Sequence, residues 1–343
     1  MRRRLAIALA LAAALTLTTP FWKPWAKRFK WFVIATNAGQ DLLRRAVIVS
    51  GQIGLGQSKP DLDVALELAR AERMYQNYLR YSRLTPLDLR DKRVLEMGPG
   101  FAIAVPLEFL ARGASFAVAV DRFVPFQDSP QHQELYTRLR ARLTPEEQLR
   151  FDGAISLDSK PAPKPERLKY IYGIGIEEAA LEPGSLDIIF SNAVLEEIYD
   201  LNRTFAAMDL LLAPSGYLLH KIDLTDYGMF AKHGFHPLEF LTVPDWAYRF
   251  MVEASGQPNR WLVNQYREQL TRRGYAAEIY VTEVLGGGKM EPGVPRLERG
   301  VHYQEPLAAG VEAIRPRLLE RYRHLPIEDL LTAGIYLVGR KPQ

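Results

Sequence analysis

Residues 93–121 read RVLEMGPGFAIAVPLEFLARGASFAVAVD. Arg93–Met97 is a short apolar run that passes directly into Gly98-Pro99-Gly100, the mark of a buried strand leaving into a tight turn. Ile103–Arg112 has helical spacing, and Phe116–Val120 is a second strand-like run that closes on Asp121. Outward from this unit the alternation continues. Strand-like runs fall at Leu168–Tyr172, Asp187–Ser191 and Tyr217–Ile222, the last preceded by a helical stretch, Arg203–Leu212, and a Pro214-Ser215-Gly216 turn. Tyr275–Val284 and Ile335–Arg340 supply two late candidates. The pattern predicts a doubly wound α/β sheet with ligands bound at the carboxyl ends of its strands. Three long connections, 122–167, 223–270 and 285–333, carry helical stretches, prolines and aromatic residues. They are expected to be insertions that build a substrate cover.

The turn also bears on the ligand. Glu96-Met97-Gly98-Pro99-Gly100 ends the first strand, and Asp121 ends the second, 21 residues beyond Gly100. Glycines let a backbone approach a ligand closely, and a carboxylate after the second strand can accept both hydroxyl protons of a ribose. A dinucleotide site calls for a third glycine, where this chain has Ile103. The pattern suits a nucleoside whose 5′ side carries no phosphate.

Four segments in order, VLEMGPG (94–100), AVAVD (117–121), GIEEAALEPGSLDIIFSNAVLEEI (175–198) and LLLAPSGYLLHKIDL (210–224), resemble the class I S-adenosylmethionine-dependent methyltransferases. The resemblance implies a Rossmann-like methyltransferase sheet with a cofactor core at about residues 90–225. It implies that Glu96 orients the glycine turn or the methionine amine, and that Gly98 and Gly100 admit the methionine end. Asp121 would bind the ribose hydroxyls, Ile176 and Glu177 would flank the adenine, and Asn192 would sit near the methionine end. Members of the family commonly carry Leu-Glu-His after the fourth strand, and this chain departs from them with Leu195-Glu196-Glu197.

Methyl transfer from a sulfonium is a direct displacement that needs the acceptor held in line and, for an oxygen nucleophile, its proton removed. His220 is the first candidate base and Glu197 the second, with Asp223 beside them in sequence. His220, Asp223, Asp226, His233 and His236 alternatively form a divalent-metal set, although the reaction requires no metal. The H-x-I-D-L segment, with Pro237–Leu241 and Pro258-Asn259-Arg260, is similar to a bacterial subgroup associated with polysaccharide or glycolipid assembly. That likeness implies O-methylation of a sugar or sugar-lipid. The alternatives are a lipid or other small-molecule acceptor, with the aromatic segment 227–250 lining an apolar pocket, and a catalytically silent, membrane-tethered relative.

Composition narrows the rest. The 343 residues include no cysteine, which excludes thiol catalysis, an iron–sulfur centre and Cys-ligated zinc. Residues 1–45 hold nine Lys/Arg against one acid, Asp41, which leaves 35 Lys/Arg against 39 Asp/Glu in the body. A nucleic-acid face is therefore not expected. The leading segment places Arg2, Arg3 and Arg4 before a 13-residue apolar run, Leu5–Leu17, and follows it with Lys23, Lys27, Arg28 and Lys30 among Trp22, Trp25 and Trp31. That run is ~20 Å long as a helix, short of a ~30 Å hydrocarbon core. Residues 1–45 are thus expected to be either a secretory signal or a retained anchor on the cytoplasmic face of an inner membrane. Residues 46–343 form the expected catalytic domain.

Overall fold

The computed structural model describes residues 26–49, 62–123, 129–254 and 256–343. Two helices, α1 (Lys30–Val49) and α2 (Val64–Ser82), precede β1 (Arg93–Met97), α3 (Ala104–Ala111) and β2 (Phe116–Asp121). Next come α4 (Pro130–Ala141), α5 (Pro145–Asp152), β3 (Leu168–Tyr172), β4 (Leu186–Asn192), α6 (Leu201–Leu211) and β5 (Leu212–Asp223). The chain continues through α7 (Asp245–Val252), α8 (Val263–Arg272), β6 (Ala276–Val284), β7 (Gly288–Val294), α9 (Glu305–Ile314) and β8 (Thr332–Arg340).

The strands form one eight-stranded sheet in the order β3-β2-β1-β4-β5-β8-β6-β7. The first five in that order are mutually parallel, and β8 runs antiparallel to both β5 and β6. This is the doubly wound α/β fold that the alternation predicts. The strand order reverses between β1 and β4, the point at which open parallel sheets form a ligand crevice at their carboxyl ends, and Met97, Asp121 and Asn192 stand at those ends.

Side chains alternate between the two faces of each strand. Val94, Ala119, Phe190 and Leu219 join a core with α2 and α3, whereas Leu95, Val118, Ile189 and Leu218 join one with α6 and α8. Helix α2 starts where the Asp63 carboxylate accepts the Leu66 N–H at 3.0 Å. Its Leu68, Ala71, Tyr75 and Tyr78 fall on one stripe at helical spacing. Tyr75 meets Phe109 edge-on with ring centroids 5.2 Å apart, and Tyr78 lies 4.9 Å from the Phe190 ring.

A third core makes a cap. Phe230, Phe240, Leu241, Met251, Val311, Leu318 and Leu330 bury one another, together with Val33 and Ile34 of α1. The expected boundary at residues 45/46 falls within α1, which packs into this cap. The cap's other members come from residues 229–333, whereas 122–167 packs Leu135, Tyr136 and Phe151 into the core of α2 and α3. Residues 1–25, with the arginine-led apolar run, lie outside the described residues. Among the described residues no helix is long and apolar enough to cross a membrane.

Candidate functional site

The turn after β1 is built on two left-handed glycines, Gly98 at φ +63° and Gly100 at φ +70°. The Gly98 N–H donates to the Val120 carbonyl at 2.8 Å, which ties the turn to β2. A Cβ at residue 98 would stand 2.5 Å from Val194 Cγ2, so the β4–α6 loop comes close at this point. At Gly100 a Cβ would meet nothing within 4 Å, and the backbone there faces open space. Asp121 stands behind it: one carboxylate oxygen accepts the Gly100 N–H at 3.2 Å and the other accepts the Phe123 N–H at 2.8 Å.

Glu96 is buried beside this turn, and its Oε2 has no hydrogen-bond partner. Burial pushes its carboxyl up to about 8, against the pull of Arg70 and with a further push from Glu67 and Asp121. At neutral pH the site therefore holds a largely neutral acid with one unsatisfied oxygen. A cationic donor would satisfy it.

Across the crevice, Asn192 ends β4, and Leu195–Glu197 forms a short 3₁₀ turn. Glu196 is buried: its Oε1 accepts the Asp223 N–H at 2.9 Å and the Tyr227 hydroxyl at 3.2 Å, while its Oε2 has no hydrogen-bond partner. Asn259 clamps the same turn, donating from its side chain to the Leu195 and Ile198 carbonyls, each at 2.9 Å. Glu197 is only partly covered and faces Gly256, whose Cβ would lie 3.4 Å from its Oε2. Burial raises its carboxyl to about 7, Tyr227 and Arg44 draw it down, and Asp121 pushes it up. Glu197 thus shares one electrostatic environment with Asp121.

His220 does not take the place expected of a base. It lies fully buried within β5, its Nδ1 2.8 Å from Ser191 Oγ on the neighbouring strand and its Nε2 unpartnered. Burial alone lowers it to about 3, and no carboxylate acts on it. Asp223 ends β5, its Oδ1 accepting the Thr225 N–H at 2.8 Å, and its charge acts on Glu196 and Tyr227. The metal set does not assemble either. Asp226 accepts three backbone N–H groups, from Gly228, Phe230 and Ala231, and among the described residues no metal-holding group of three His, Asp or Glu is present. Ile176 is buried near the end of β3, and Glu177 accepts a hydrogen bond from the Thr204 hydroxyl of α6.

Tyr227, Asn259 and Arg44 were not among the sequence candidates for the site. Only Asn259 had a local signal, the Pro258-Asn259-Arg260 triplet. The roles of the other two depend on contacts between distant segments.

No protein-family model matches the chain, and no curated protein matches it. Among solved structures, an S-adenosylmethionine-dependent methyltransferase from Mesorhizobium loti is similar at 17% identity, covering 77% of this chain and 96% of that one, with a TM-score of 0.37. Phosphoethanolamine N-methyltransferase 2 of Haemonchus contortus, solved with S-adenosyl-L-methionine, is similar at 14% identity over 79% of this chain and 53% of that one, with a TM-score of 0.41. At such scores a neighbour's chemistry does not transfer, and the site's own side chains have to carry it.

Proposed function

We propose that the chain is an S-adenosylmethionine-dependent methyltransferase that methylates a hydroxyl oxygen of a sugar or sugar-lipid. One constellation carries the reading: a double left-handed glycine turn, backed by Asp121 and flanked by the unsatisfied Glu96 oxygen, at the reversal point of a parallel sheet. A nucleoside's ribose fits Asp121, an ammonium fits Glu96, and the open face of Gly100 admits close backbone contact. The pyrophosphate of a dinucleotide lacks the third glycine, since Ile103 is the buried first-turn neighbour of α3.

When bound, the cofactor supplies a methyl group on a positively charged sulfur. The protein's share is to hold the acceptor and to take its proton. Glu197 is the group poised for the proton, because a base near neutrality is half ionised at working pH while still basic enough to accept it. Asn259 and Glu196 position it by fixing the 3₁₀ turn. The case for a lipid-lining pocket in segment 227–250 weakens, because Met229, Phe230, Phe240 and Tyr248 are spent inside the cap's own core.

Calorimetry with S-adenosylmethionine, S-adenosylhomocysteine and NAD tests the cofactor. The first two are expected to bind at least about tenfold more tightly than NAD, a margin of about 1.4 kcal/mol. Equal or tighter NAD binding overturns the assignment. Transfer of labelled methyl to cell-envelope glycans tests the acceptor, and label found only in protein or free lipid would refute the sugar.

A further inference from the structure

Helix α1 leaves an apolar face exposed on the outside of the cap. Trp31, Ala35, Gly39, Leu42 and Leu43 are its exposed members, and Arg28 is exposed just before the helix begins. On α7, which packs against α1, Trp246 and Phe250 stand one turn apart and point outward. Trp31, Leu42, Leu43, Trp246 and Phe250 are each at least 50% exposed. Single exposed apolar residues are ordinary, but five large ones on two packed helices mark a surface with a partner.

Charge and chain continuity identify the partner. Asp41, the acid of α1, is turned inward, where it accepts the Ala254 N–H at 2.7 Å. Asp245 at the start of α7 is held by Arg260 and Arg321. The face therefore offers aromatics with Arg28 beside them, and no unpaired acid among the residues named. The chain that enters α1 carries Arg2, Arg3, Arg4, Lys23, Lys27 and Arg28 around the apolar run Leu5–Leu17. Tryptophans with flanking cations suit the headgroup level of a negatively charged bilayer. A second copy of the chain would bring the same cations face to face.

We propose that the outer faces of α1 and α7 dock on an anionic lipid bilayer, so that the folded cap itself, and not only the leading segment, seats on the membrane. This binding stands apart from methyl transfer. It reaches the site all the same, because Asp41 of α1 holds the backbone of Ala254 close to Gly256, and Arg44 of the same helix acts on Glu197.

The test uses the full-length chain and vesicles of phosphatidylglycerol with phosphatidylcholine. Wild type is expected to cosediment at low salt and to be released as salt rises. The Trp31→Glu/Leu42→Glu/Leu43→Glu and Trp246→Glu/Phe250→Glu variants are each expected to lose at least about tenfold in partitioning while keeping S-adenosylhomocysteine affinity. Brominated lipid should quench wild-type tryptophan emission, and Trp246→Phe should remove part of that quenching, a conservative check on a residue outside the leading segment. Partitioning unchanged in either multiple variant overturns the proposal, as does quenching unchanged by Trp246→Phe. So does conversion of a dimer to a monomer with no loss of vesicle binding, which would give the face to a second copy.

Discussion

Glu96 and Glu197 are both carboxyls raised by burial, yet they differ in what their elevation does. Glu197 sits at a partly open edge with a value of about 7, so its ionised fraction rises with pH across neutrality. Turnover is therefore expected to rise through about pH 7 and then level. Glu197→Gln should lower it by ~10²–10⁴-fold with cofactor affinity preserved. His220→Ala is expected to act in the opposite sense, lowering the melting temperature because a buried cavity opens beside Ser191 while turnover persists. Parallel kinetics and calorimetry on the two variants decide the matter, and a silent Glu197→Gln would remove the carboxylate from the reaction. Glu96 has a folded value of about 8 against an ordinary value of 4.5, so between those limits the folded chain keeps a proton that the unfolded chain has released. Its contribution to stability is full below 4.5 and is lost as pH rises toward 8. Glu96→Gln is accordingly expected to raise the midpoint at pH 8 by about 2–4 °C, leave it unchanged near pH 5, and weaken S-adenosylmethionine binding about tenfold or more. A site residue that costs stability until its ligand arrives gives that combination, whereas a purely structural Glu96 would not lose ligand affinity.

At the scale of the element, the glycine turn separates two kinds of constraint. Gly98 is pinned from outside by Val194, and Gly100 is free on the side where a Cβ would stand. Gly98→Ala should therefore destabilise the fold, combining about 1–2 kcal/mol of left-handed strain with a clash against the β4–α6 loop. Gly100→Ala should carry the strain alone and lose cofactor affinity out of proportion to its stability cost. Thermal melts set against calorimetric affinities separate the two, and equal affinity losses at equal stability would erase the distinction. The same element shows what sequence pattern can convey. Arg93–Met97 and Phe116–Asp121 were legible because buried parallel strands are short apolar runs closed by turn residues, a purely local signal. The fifth strand was expected only from Tyr217, yet β5 begins at Leu212, because Ser215 at φ +62° and Gly216 bulge the strand in a way that reads as a turn. Strand β7 was hidden for a related reason: Gly288, Pro292 and Gly293 are edge-strand residues that resemble loop. The pairing of His220 with Ser191 instead of with a carboxylate depends on sheet register, which a single strand's sequence does not state.

For the whole molecule the consequential contacts join the chain's beginning to its cap. Lys30 pairs at 3.0 Å with Oε1 of Glu239, a buried carboxylate whose same oxygen Arg317 also engages. Val33 and Ile34 are enclosed among cap residues, and Asp41 is buried against the segment that leads to Gly256. Helix α1 thus closes a core whose other members come from residues 229–333, and its removal would expose that core and strip one partner from a buried charge. Each of Val33 and Ile34 contributes about 1.5–3 kcal/mol by burial, and a buried carboxylate left half-paired adds to the loss. Deleting residues 1–25 is expected to weaken membrane association while sparing the melting temperature and cofactor affinity, since every described contact of α1 remains. Deleting residues 1–45, the boundary that charge composition alone favours, should instead lower the melting temperature by several degrees or drive the protein into aggregates. Differential scanning calorimetry of both truncations beside the full chain measures this directly. If the chain lacking residues 1–45 melts with the full-length protein, α1 is an appendage, and the cap is complete without it.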